Sequence, residues 1–85
     1  MIITFSKKAE KGYKKLPAQI QKKADKQFNY LLEDYRHPSL RTSKMESANV
    51  FEARIDLHYR FSFQVEEENI YILIVGPHDV GLGKK

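Results

Sequence analysis

An α+β fold, with a two-helix hairpin packed on one face of an antiparallel sheet, follows from three patterns in this 85-residue chain. From Val50 to Asp79 the residues read as three successive strands, VFEARID, HYRFSFQV and NIYILIV, closed by Gly76-Pro77-His78-Asp79. From Ala18 to Tyr35 apolar residues recur at the helical period. Ahead of both, Ile2-Ile3-Thr4-Phe5 is a short β-branched and aromatic run of the kind strands use. The predicted order is therefore β-α-α-β-β-β, an N-terminal strand and two helices followed by a three-strand meander.

Taken in order, Ser6 is a good N-cap for a helix starting at Lys7, because its hydroxyl can accept from an unpaired backbone N–H. Ala9, Tyr13 and Leu16 share one side of that helix, and Gly12 weakens it. Pro17 ends it and suits the first turn of the next. In the second helix Ile20, Ala24, Phe28, Leu31, Leu32 and Tyr35 form a stripe that should lie on the sheet. Lys14, Lys15, Lys22, Lys23 and Lys26 should point away as a solvated face. His37-Pro38 stops the helix, since the residue before proline is pushed out of the α region. Residues 37–49 then form a polar connection carrying Arg41 and Lys44.

Within the meander, Phe51, Ala53 and Ile55 alternate with Glu52, Arg54 and Asp56, and Tyr59, Phe61, Phe63 and Val65 with His58, Arg60, Ser62 and Gln64. Period-2 alternation means one apolar and one polar face. Ile70 to Val75 is apolar throughout, so this strand should be interior with both faces covered. Glu66-Glu67-Glu68-Asn69 read as a four-residue hairpin loop pairs Val65 with Ile70, Phe61 with Ile74 and Arg60 with Val75. The turn around Leu57 must keep the apolar sides together, because a one-residue slip turns every side chain over. That register sets Arg54 opposite Arg60. Like charges facing each other are destabilising, so something negative should sit between them, either Glu52 and Asp56 or an external anion. The chain leaving the last strand returns to the Arg60 end with His78. Two arginines and a histidine are thus expected to converge on the open polar face.

The length suits one domain, 1–85, with a loose tail at 80–85. With no cysteine there is no disulfide framework or thiolate metal site, which fits a reducing compartment. No run is long enough to span a bilayer and no signal-peptide pattern is present, so a cytoplasmic protein is expected. Fifteen Lys and Arg against eleven Asp and Glu give a net charge of +4 and favour a polyanionic or acidic partner. The three histidines lack metal-ligand spacing, and no metal or cofactor is expected.

The H-P-S-L opening of the loop, the F-E-A-R-I strand, the Y-R-F start of the next and the closing V-G-P-H-D resemble, in order and spacing, RelE/ParE-superfamily toxins of toxin–antitoxin pairs. The likeness covers essentially the whole chain and is nearest the RelE-like branch. It implies a metal-independent mRNA endonuclease that inhibits translation, acting at the A site of the small ribosomal subunit and neutralised by a small acidic cognate antitoxin. Cleavage in this branch proceeds by attack of the ribose 2′-hydroxyl on the adjacent phosphate. By the same resemblance Arg60 holds the scissile phosphate and His78 stabilises or protonates the leaving group. Arg41 and Lys44 occupy the loop where relatives bind phosphate. The chain departs from the family in two places. It lacks the tyrosine that many relatives carry after the V-G motif, with Lys84 near that position. It also has no assured counterpart of the loop glutamate that serves as base, for which Glu46 and Glu52 are the candidates.

These residue types suit the chemistry. A guanidinium stays protonated and forks onto two phosphate oxygens, and imidazole titrates where proton transfer is needed. Arg54 either contacts RNA backbone or balances Glu52 and Asp56. His58 in a turn and His37 before a proline read as structural, while Tyr59, Phe61 and Phe63 read as core. The same fold also serves ParE-type inhibitors of DNA gyrase, and an inactive RNA- or partner-binding domain is a further alternative.

Overall fold

In the computed structural model, which describes residues 2–45 and 49–77, β1 (Ile2–Phe5) leads into α1 (Lys7–Lys15) and α2 (Ala18–Glu33). A 3₁₀ turn (Pro38–Leu40) and β2 (Ser43–Lys44) follow, then β3 (Val50–Arg54), β4 (Tyr59–Glu66) and β5 (Asn69–Pro77). Glu46, His78 and the tail 80–85 lie outside the described residues. The five strands form one sheet in the order β1-β5-β4-β3-β2. The meander pairs antiparallel as expected, but β1 joins β5 in parallel, Ile3 beside Ile70 and Phe5 beside Ile72, so the sheet is mixed. The expected polar connection contains an edge strand and a 3₁₀ turn, because Leu40 is fully buried and anchors it.

Ser6 caps α1 as predicted, its hydroxyl accepting from Ala9 N–H at 2.9 Å and donating to the Leu73 carbonyl at 2.8 Å. One residue thus starts the helix and ties it to β5. Gly12 has a role that helix propensity does not suggest. A Cβ there would fall inside contact distance of the Val75 carbonyl oxygen, so glycine is what lets α1 lie against β5. Between the helices the Tyr13 hydroxyl donates to Asp25 at 2.7 Å, and that bond raises the Tyr13 pKa.

Phe28 meets Phe5 and Phe61 edge-on, with centroids 5.2 and 5.0 Å apart, joining helix to sheet. Phe61, Phe63, Leu31, Ile70 and Ile72 are fully buried around it, and burying each such side chain stabilises by about 1.5–3 kcal/mol. The α2 stripe differs from the expected one at two positions. Leu32 is 41% exposed, whereas Gln27 is buried. The Gln27 amide donates to the Ser39 carbonyl (3.0 Å) and the Arg54 carbonyl (2.7 Å), linking helix, loop and sheet. The helix ends at Glu33, two residues short of Tyr35.

Register is as predicted at Val65–Ile70 and Arg54–Arg60. Beyond Phe63 it shifts by one, because a bulge leaves Leu73 unpaired and sets Phe61 opposite Val75 and Arg60 opposite Gly76. The bulge corrects the expected Phe61–Ile74 and Arg60–Val75 pairs. The hairpin is also tighter than expected. Glu66 pairs with Asn69, and Glu67 takes a left-handed φ of 54°. β5 is interior to the sheet, yet Tyr71, Leu73 and Ile74 are only half-buried, since among the described residues no second layer covers the open face.

Candidate functional site

Alternation along β3 and β4 puts Glu52 and Arg54, and Arg60, Ser62 and Gln64, on the face away from the helices. Arg54 and Arg60 stand directly opposite one another. Glu52 relieves their repulsion. Its carboxylate accepts from Arg60 Nη1 at 3.2 Å, in an ion pair whose side chains are 30% (Arg60) and 18% (Glu52) exposed. Arg60 is not saturated by this bond, because its Nε is buried and has no partner among the described residues. A buried N–H without an acceptor is costly, so this donor is suited to an incoming anion.

Asp56, the other acid considered for this place, is engaged elsewhere. Its carboxylate accepts from the His58 and Tyr59 N–H groups at 2.9 and 3.1 Å and pairs with Lys23 at 3.6 Å. Burial pushes the Asp56 pKa up, but those two N–H groups and Lys23 outweigh it and hold the carboxyl below its ordinary range. Lys23 is accordingly not a free member of the solvated lysine face.

A cleft of about 140 Å³ lies here, lined by Arg41, Ser43, Glu52, Arg54 and Arg60. Among the described residues, three guanidiniums against one carboxylate leave a formal excess of two positive charges in it. Arg41 arrives from the 3₁₀ turn in a left-handed conformation, φ 49°, its N–H donating to the Pro38 carbonyl at 3.1 Å. Such a backbone persists in a non-glycine residue only where its surroundings impose it, and buried Leu40 and the Gln27–Ser39 bond do so. The same glutamine holds the Arg54 carbonyl. Gln27 therefore sets the loop arginine and a strand arginine in place together.

Of the residues singled out from the sequence, Arg41, Arg54, Arg60 and Glu52 share this cleft. Lys44 does not. It pairs with Phe51 on the edge strand and lines a neighbouring cleft of about 390 Å³ with Tyr35, Arg36, His37, Arg41 and Phe51. His37 has the structural role expected of it. Its Nδ1 accepts from Ser39 N–H at 3.2 Å and its ring stacks on Tyr30, centroids 4.0 Å apart at 14°. The mixture of aromatic and basic side chains in Tyr35-Arg36-His37, Arg41 and Lys44 was the available signal for this second cleft, and sequence reasoning passed over it. A further cleft, about 420 Å³, lies between α1 and the end of β5 and carries Lys8, Lys11 and Lys15. Among the described residues no three His, Asp or Glu side chains gather as a metal site would, and no helix is long and apolar enough to cross a membrane.

No family model matches the chain, and no curated protein matches it in sequence. Solved structures do match. A chain of the heterotetrameric YoeB–YefM toxin–antitoxin complex of Staphylococcus aureus is 30% identical, over 89% of this chain and 94% of that one, with a TM-score of 0.65. The YoeB dimer of the same organism is 29% identical, over 92% and 97%, with a TM-score of 0.67. The intact Escherichia coli RelBE toxin–antitoxin complex contains a chain with a TM-score of 0.75, over 88% and 93%, at 20% identity, a likeness of fold alone.

Proposed function

The chain belongs to the RelE/ParE superfamily of toxins from toxin–antitoxin pairs, and on that premise we propose that it is a metal-independent mRNA endonuclease that arrests translation on the ribosome. The observation that carries this reading is the open-face arginine cleft, in which Arg60 keeps a buried donor with no partner among the described residues. In the proposed reaction the 2′-oxygen bonds to phosphorus and the bond to the 5′-oxygen breaks, leaving a 2′,3′-cyclic phosphate and a 5′-hydroxyl. A base takes the 2′ proton and an acid delivers one to the 5′-oxygen.

Arg60 grips the phosphorane, with Arg41 and Arg54 adding fixed positive charge. Donors aimed in this way are worth about 10²–10³-fold each. Glu52, hydrogen-bonded to Arg60 in the same cleft, is the proposed base, with Glu46 the alternative. His78, directly after Pro77 in the chain, is the proposed acid. Lys44 contributes phosphate contacts at the rim. The S. aureus relative is a toxin–antitoxin complex, and we propose a cognate acidic antitoxin here, for which the lysine-bearing helices provide a complementary surface.

Expression without antitoxin tests the assignment, with primer extension mapping the message ends. Wild type should arrest growth and leave cyclic-phosphate ends, Arg60→Ala should slow cleavage by about 10²–10³-fold, and His78→Gln should also be impaired. Equal arrest by all three would show the assigned site to be wrong. Cleaved gyrase–DNA complexes with intact messages would transfer the chain to the gyrase-inhibitor reading.

A further inference from the structure

Arg41 lines two clefts at once, the arginine cleft on the open face and the aromatic cleft beside it. We propose that the aromatic cleft is a nucleobase subsite, holding the base of a nucleotide next to the phosphate gripped by Arg60. The proposal rests on the endonuclease reading and adds to it a site for substrate selection.

The cleft has the constitution that single-stranded RNA requires. Sequence-tolerant binding of an unstacked base needs an exposed π-surface or guanidinium plane for the ring and nearby positive charge for the backbone. Tyr35 and Phe51 are half-buried, with centroids 5.3 Å apart and planes inclined by 52°, so they do not close face to face on each other. The Arg36 guanidinium lies 5.2 Å from the Tyr35 ring centre. His37 offers a firm platform, because Tyr30 backs one face of its ring. Its Nδ1 is committed to the Ser39 N–H, so in the neutral ring Nε2–H remains a donor for a base edge. Among the described residues Arg36, Arg41 and Lys44 line the cleft and no acidic side chain does. At about 390 Å³ it falls in the range of small-ligand pockets, whereas the arginine cleft, at about 140 Å³, is smaller and lined almost wholly by polar side chains. Phosphate in the smaller and base in the larger is the division their linings favour. The buried Leu40 and the Gln27–Ser39 bond hold the turn between them, so their spacing is built into the fold.

The test uses short RNAs made uncleavable by a single 2′-deoxy sugar, with 2-aminopurine on one side or the other of the protected bond. At saturation with wild-type protein, fluorescence of the label on one side should be quenched by stacking and that on the other should not. His37→Ala and Phe51→Leu should reduce the quench and weaken Kd by about 5-fold or more, the low end of the loss when a stacking side chain is removed. Arg36→Ala, an exposed change that leaves the core untouched, should do the same to a smaller degree. Arg60→Ala should weaken Kd but preserve the quench at saturation. Quenching unaffected by His37→Ala, Phe51→Leu and Arg36→Ala, or absent on both sides, overturns the subsite while leaving the endonuclease reading intact. Failure of wild-type protein to bind any of these RNAs, either free or as the message of a programmed ribosome, overturns both. Competition by an acidic aromatic peptide in place of RNA would assign the cleft to a protein partner and overturn the subsite.

Discussion

At the scale of single residues, Glu52 is the side chain on which the proposed chemistry turns. Among the described residues it is the acid that lines the arginine cleft, and it accepts a hydrogen bond from Arg60. Glu52→Gln keeps the shape and removes the charge. Cleavage should fall by about 10²–10⁴-fold, the usual worth of a general base. RNA affinity should hold or rise, because the cleft loses its negative member. Single-turnover cleavage and a binding titration on the same variant separate the two effects, and an undiminished rate would move the base to Glu46. The Arg54–Arg60 opposition and the need for negative charge between them, from an acid or from an external anion, could be read from alternation and the turns. That Glu52 would take the place rather than Asp56 could not, because the choice depends on a local contest. Asp56 is drawn off by two N–H groups of its own turn and by Lys23.

At the scale of elements, the junction of α1 and β5 is set by a glycine. In an open helix, replacing glycine by alanine stabilises by about 1 kcal/mol. Here the added carbon meets the Val75 carbonyl, so Gly12→Ala should reverse the sign and destabilise by about 1–3 kcal/mol, the usual range for overpacking. The shift in urea midpoint measures it, and a rise would show that α1 does not press on β5 as described. The helices and the main strands were legible in place and order, though not in their exact ends, because periodicity depends only on neighbours in the chain. What periodicity could not reveal was contact between distant elements: Gly12 on Val75, Gln27 on Ser39 and Arg54, and the bulge at Leu73. Gln27 lies outside the apolar stripe read from the sequence, yet its two carbonyl partners are what bring the loop to the sheet.

For the molecule as a whole, the parallel pairing of β1 with β5 joins residues 2–5 to residues 69–72. Deleting Ile2–Phe5 would bare an edge of β5 carrying Ile70 and Ile72 and remove the Phe5 ring from Phe28. Exposed apolar edges template pairing between chains, and an 85-residue domain has only about 4–13 kcal/mol of total stability to lose. The shortened chain should therefore unfold or form large oligomers, visible by light scattering and loss of near-ultraviolet circular dichroism. A well-folded monomer would contradict the described closure. The α+β class and the order of elements were evident from patterning. The parallel sense of the first strand was not, because a four-residue strand has no turn chemistry to orient it.

That closure also bears on when such a chain could become harmful. A nascent polypeptide that has not yet passed Ile72 has nothing for its opening strand to lie beside. Without β5, one flank of β4, the strand that carries Arg60, is also unsupported. Products that stop before Ile72 should be inert, and activity should arrive in a single step once that residue has joined the sheet.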